Sequence, residues 1–101
     1  MKTVVLSLQS EFGVVLETRR AQAAEMTLGP GESTGGADNR HESSDQWMYV
    51  VAGAGVAIVE GATVRLEPRT LLVIEAGEAH EIRCDGEAPL RTLNLYVPPE
   101  Y

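Results

Sequence analysis

Between Gln46 and Val97 no apolar run goes far before a glycine or proline closes it, at Gly53-Ala-Gly55, Gly61, Pro68, Gly77, Gly86 and Pro89. Segments this short, rich in Val, Ile, Leu and Tyr, suit strands and are too brief for helices of three turns. The spacing predicts strands over 46–52, 56–60, 63–66, 70–74, 80–84 and 90–97, with Gly53-Ala-Gly55 as a hairpin turn. Upstream, 4–8 and 13–17 are β-prone. Residues 21–28 are read as a strand, because Gly29-Pro-Gly31 closes them at once. No βαβ alternation and no fixed-period repeat occurs, so a parallel α/β fold and a solenoid are excluded. Many short strands joined by tight turns mean an all-β sandwich or barrel.

A chain of 101 residues supports one domain, here 1–101. The polar stretch 29–44 would be a linker only if each half had its own core. It is read instead as an ordered loop over a binding site. Eight Lys and Arg against fifteen Asp and Glu leave a net charge of -7. That surface repels phosphate backbones, so no nucleic-acid partner is expected. No membrane partner is expected either: there is no basic amphipathic stretch and no apolar run near the roughly 20 residues of a span. The N-terminus lacks the apolar core of a signal peptide, and the single cysteine, Cys84, has no partner within the chain. Both point to a cytoplasmic protein.

Only two histidines are present, His41 and His80. Each follows or lies near a polar turn at the mouth of a β-prone run, which is how two strands would aim two imidazoles at one point. Strand alternation puts Gln46, Met48 and Val50 on one face and Trp47, Tyr49 and Val51 on the other. His80, Ile82 and Cys84 likewise share a face. His41 and Gln46 are an odd number of positions apart, so they converge only if Ser43-Ser44-Asp45 bends, which those residues favour. Met48, Val50, Val56, Ile58 and Ile82 are expected to line the barrel. Trp47 and Tyr49 suit an inter-sheet or dimer contact. Arg19, Arg20 and Arg83 read as surface residues that could meet an anionic ligand.

These two stretches resemble the two motifs of the cupin superfamily, small jelly-roll β-barrels. The first family motif runs Gly, five residues, His-x-His, three or four residues, Glu, six residues, Gly. Gly53 matches the closing glycine and His41 the second histidine. Asn39 stands at the first histidine, Gln46 at the glutamate and Ser33 at the opening glycine. In the second motif Gly77 and His80 match, while Arg69, Glu75 and Cys84 depart. Residues 54–68 separate the motifs, as in compact bacterial cupins. The chain is also similar to small single-domain cupins carrying His-x-x-x-Asp-Gln followed by Tyr-Val-x-x-Gly.

The resemblance implies a jelly-roll barrel with a divalent transition metal (Fe, Mn, Ni, Zn or Cu) and a small-molecule ligand. The comparable metal set is His41, Gln46 and His80, with Asn39 or Cys84 as a possible fourth. A neutral amide is a weaker ligand than a carboxylate, so affinity should be reduced. The implied function is an enzyme of oxygenase or isomerase type acting on a small polar molecule. The alternatives are a non-catalytic binding or sensing barrel, or an acid/base pair of His41 and His80 with no metal. A homodimer is also implied, with 4–8 as a pairing strand.

Overall fold

A computed structural model of the chain describes residues 1–36 and 39–101. Eight strands make up its regular structure: β1 Phe12–Glu17, β2 Gln22–Leu28, β3 Asp45–Ala52, β4 Gly55–Val59, β5 Ala62–Leu66, β6 Leu71–Ile74, β7 His80–Cys84 and β8 Leu90–Val97. They form two antiparallel sheets, β1-β2-β8-β3-β6 and β5-β4-β7, whose inner faces pack together as a jelly-roll barrel. No helix of the described residues is long and apolar enough to cross a membrane.

The core lies between the sheets. Met48, Val50, Leu66, Ile74, Ile82 and Leu90 are all but fully buried, each side chain contributing roughly 1.5–3 kcal/mol of transfer free energy. On the large sheet, register sets Ala24 beside Asn94 and Asn94 beside Met48. One row further along stand Gln22, Tyr96, Gln46 and Ile74. That row faces β7 at the end where His80 lies, and it makes the floor of the site.

The structure departs from three sequence expectations. Residues 4–8 form no strand. The Glu25 carboxylate accepts from the Ser7 hydroxyl (2.6 Å) and the Leu8 amide (2.9 Å), while the Leu8 carbonyl accepts from the Arg91 side chain. Side chains thus satisfy backbone groups that a ladder would otherwise take, and Leu8 turns to φ 55°.

Gly53-Ala-Gly55 is not a hairpin. It carries the chain from one sheet to the other, since β3 and β4 lie in different sheets. Gly53 has φ +88°, and a Cβ there would come within 2.2 Å of the Pro89 carbonyl oxygen, so only glycine can make the crossing. The tight hairpin lies instead at Glu60-Gly61, both with positive φ, between β4 and β5.

Val56 and Ile58 face outward. Ala57 pairs with Ile82 and shares its inward face, so the two larger neighbours take the other phase.

The described residues of the loop before β3 are tied to β7 by backbone hydrogen bonds. The Thr34 amide donates to the Ile82 carbonyl (3.0 Å) and the Cys84 amide to the Glu32 carbonyl (3.0 Å). Residues 37 and 38 of this loop lie outside the described residues.

Candidate functional site

Two backbone hydrogen bonds bring the histidine stretches together. The Gly77 amide donates to the His41 carbonyl, and the His80 amide to the Asn39 carbonyl, both at 2.8 Å. Gly77 takes φ +86° to turn the chain into β7. The expected bend before β3 falls at Glu42 and Ser43. The His41 and His80 rings then lie 5.0 Å apart between centroids. Both are buried, as is Gln46.

A chain of hydrogen bonds fixes which atom each side chain presents. The Ala24 carbonyl can only accept, so the Asn94 amide nitrogen faces it (3.4 Å) and also donates to Thr92 Oγ1 (3.0 Å). Asn94 Oδ1 therefore receives Gln46 Nε2 (3.1 Å). Gln46 Oε1 is left facing His41 Nε2, 3.1 Å away. His41 Nδ1 lies 3.0 Å from Glu100 Oε1, a carboxylate that accepts the ring proton there. His80 Nδ1 lies 3.1 Å from the Glu78 carbonyl, which likewise assigns its proton to Nδ1 and leaves Nε2 with a lone pair. Burial, only partly offset by the Glu78 carbonyl, holds the His80 imidazole below its ordinary range.

With the His41 proton on Nδ1, Nε2 and Gln46 Oε1 are two acceptors aimed at each other. Acceptors at that distance require a proton or a cation between them. Two such atoms about 3 Å apart can both reach one ion at roughly 2.0–2.2 Å, so His41 Nε2 and Gln46 Oε1 could share a transition metal. It is a lean set. Among the described residues, no three His, Cys, Asp or Glu side chains gather at one point.

His41, Gln46 and His80 open onto a cavity of about 260 Å³. Phe12, Met26, Leu28 and Ile82 form its apolar wall; Asn39, Thr34 and Glu11 are polar; Tyr96 and Tyr101 close one side. Burial and the neighbouring Tyr101 push the Tyr96 phenol well above its usual range, so it stays neutral. Such a space suits a small polar molecule. A larger, shallower groove of about 420 Å³ lies on the outer surface against Met1, Leu16, Ala23 and Leu95. It holds none of the predicted residues.

Of the two possible fourth ligands, Asn39 lines the cavity and its backbone carbonyl holds β7. Cys84 is buried elsewhere, its thiol donating to the Ala88 carbonyl at 3.4 Å, and takes the role of a small core residue. Arg83 pairs with Glu81 on the outer surface. Sequence reading missed Asn94, Glu100, Tyr101 and Gln22. The inward phase of Thr92, Asn94 and Tyr96 on β8 was available as a signal for Asn94. No local signal marked the others.

The model of the Cupin domain family matches residues 24–96. The chain is a cupin. Members of this family commonly bind metals. The cupin is 36% identical over 71 residues to the tetracenomycin polyketide synthase protein TcmJ of Streptomyces glaucescens. That match covers 70% of the chain and 46% of TcmJ, so the cupin spans less than half the length of this relative. A predicted oxalate decarboxylase from Thermotoga maritima superposes with a TM-score of 0.79 at 26% identity, over 87% of this chain and 79% of that one. BH2720 from Bacillus halodurans superposes with a TM-score of 0.89 over 99% of this chain and 84% of its own, at 20% identity, and shows the fold alone.

Proposed function

We propose that His41, Gln46 and His80 hold a divalent transition ion, one of Fe, Mn, Ni, Zn or Cu, and that this cupin acts on a small polar molecule as an oxygenase or isomerase. The observation that carries the reading is the far-side hydrogen bond on each of His41, Gln46 and His80, which turns His41 Nε2 and Gln46 Oε1 toward each other and occupies His80 Nδ1. A bound ion would supply Lewis-acid polarisation or oxygen activation. Three protein donors leave positions for a chelating ligand such as a hydroxy acid, a diketone or a sugar-like diol. The name of TcmJ refers to polyketide synthesis and that of the Thermotoga maritima neighbour to oxalate, a chelating diacid; both support this ligand class. The residues' own part is to orient the ligand, keep the Tyr96 proton in place and exclude bulk water through the apolar wall.

A second reading has a specific observation behind it. The donor set lacks a carboxylate and is neutral, which suits a non-catalytic binding or sensing barrel. Saturable binding without product would favour it.

The chain is further read as a cytoplasmic homodimer. A uniform apolar patch on the outer face of the large sheet supports the dimer: Trp47 stands between Leu95 and Val73, and Tyr49 between Leu93 and Leu71.

The deciding experiment is metal content by plasma mass spectrometry of the native protein beside a His41→Ala, His80→Ala double variant. Near-stoichiometric metal in the first and none in the second is expected. No metal after supplementation with each ion would overturn the metalloenzyme reading.

A further inference from the structure

After β8, residues 98–101 fold back across the mouth of the cavity. Gln22, 2% exposed on the inner face of β2, grips them by the main chain. Its Oε1 accepts from the Glu100 amide (3.2 Å) and the Tyr101 amide (2.8 Å), and its Nε2 donates to the Tyr101 carbonyl (2.6 Å). Gln22 Nε2 also donates to Glu17 Oε2 at 2.9 Å. Ser44, 1% exposed, donates to the Pro98 carbonyl at 2.7 Å and lies 3.2 Å from Glu100 Oε2. The Tyr101 ring packs on Phe12 and Tyr96, with centroids 4.8 and 5.0 Å away. Two buried polar side chains and three aromatic rings thus deliver one carboxylate oxygen to one atom, His41 Nδ1.

We propose that Glu100 is the positioning residue for His41, and that residues 98–101 are a working part of the site. An imidazole on a loop can turn about its side-chain bonds and present either nitrogen. A carboxylate bonded to Nδ1 stops that rotation, keeps the proton on Nδ1 and holds Nε2 toward Gln46 and the cavity. His80 has a local device for the same task, the Glu78 carbonyl two residues before it. Among the described residues His41 Nδ1 has no such carbonyl partner and draws on a residue 59 positions away. The two imidazoles are therefore held by separate partners, and loss of Glu100 should disturb His41 directly and His80 only through the neighbouring ring. The inference rests on the proposed role of His41 as a donor, yet it makes a separate claim about the ring.

The test uses Co(II) alone as the probe, followed by its visible absorption, together with long-range ¹H–¹⁵N spectra of the histidine rings. Glu100→Ala should weaken Co(II) binding by about 10–100-fold. Glu100→Gln, which keeps an oxygen acceptor for Nδ1–H, should recover most of that loss. Gln22→Ala touches neither histidine and should weaken binding in the same direction by loosening the tail. In the metal-free spectra, Glu100→Ala should shift the His41 ring nitrogens further than those of His80, whose own Glu78 partner is kept. Should the Ala variant fail to fold, Glu100→Leu, which removes the acceptor but keeps side-chain bulk, takes its place in the same spectra. Co(II) binding that depends on His41 but is unchanged in Glu100→Ala would overturn the proposal. If the native protein binds no Co(II), the metal reading fails by itself. The ring spectra then decide this one: unchanged His41 nitrogens in Glu100→Ala overturn it, and a shift largest at His41 sustains it.

Discussion

Gln46 and Asn94 meet amide to amide across β3 and β8, Gln46 Nε2 donating to Asn94 Oδ1 at 3.1 Å inside the barrel. Asn94 is fully buried and its own nitrogen is committed to Thr92 and the Ala24 carbonyl. The orientation of a backbone carbonyl on β2 is thereby passed through two side chains to the atom that faces His41.

Asn94→Ala should break that transmission. It leaves the buried Gln46 NH₂ without its acceptor, and an unsatisfied buried polar group costs about 1–3 kcal/mol. Chemical denaturation should show a loss in that range, with an unchanged slope. Gln46 would also be released to rotate, so metal uptake should fall in the same variant. A stability change with full metal uptake would mean that Asn94 packs the core without orienting the site.

Gln46→Glu restores the carboxylate of the family motif and should divide the two properties. The added charge should tighten divalent-ion binding, because carboxylates are stronger ligands than amides. Without metal, the new carboxylate faces Asn94 Oδ1, acceptor against acceptor, and that should lower stability by about 1–3 kcal/mol. Thermal melts with and without Co(II) check both signs. The metal-free protein should melt lower than the native one, and saturating metal should raise its melting point by a larger increment.

Much of this architecture can be read in the sequence, for reasons that particular residues show. Glycine and proline mark turns locally, so every strand from β1 onward falls within one residue of its expected bounds. Only β4 is displaced at both ends, to 55–59, because Gly55 pairs with Leu66 and Cys84. Residues 4–8 have strand propensity, but the Glu25 carboxylate takes the Leu8 amide and the Ser7 hydroxyl, and propensity cannot register a partner 17 or 18 residues away. The convergence of His41, Gln46 and His80 followed from two motifs, each carried on its own turn. Glu100 and Gln22 stayed hidden, since one reaches His41 across 59 positions and the other grips Tyr101 across 79.

The Glu25 clasp gives a pH dependence with a definite sign. Hydrogen bonds from Ser7, then Leu8, hold its carboxyl below the ordinary value of 4.5. The unfolded chain therefore takes up the proton first. The stabilisation is complete above pH 4.5 and is lost as the pH falls through the lowered folded value. The protection of the Leu8 amide, measured against its intrinsic exchange rate at each pH, should be high near neutral pH and fall on acidification, ahead of β3 and β8. Glu25→Gln should show fast exchange at Leu8 at every pH. Protection at Leu8 that persists in this variant would show that Arg91 and Thr27, which bond the Leu8 carbonyl, hold the arm by themselves.

The outer faces of the two sheets differ in kind, and the difference predicts how copies meet. The small sheet shows ion pairs, Arg65 with Asp85 and Arg83 with Glu81. The large sheet shows Trp47 at 42% exposure, Leu71 at 64% and Leu95 at 42%, with Tyr49 and Val73 between them and no charge among them. On a chain of net charge -7, a contact elsewhere would bring acidic surfaces together, whereas this patch lets two copies meet without that repulsion. A two-fold arrangement would set the same patch against itself. Sedimentation velocity should give a dimer for the native protein. Trp47→Glu with Leu71→Glu should give a monomer, since each adds charge at the centre of the contact. Retained cavity binding in that monomer would show the site to be complete within one chain. A native protein that sediments as a monomer at tens of micromolar would reject the dimer outright.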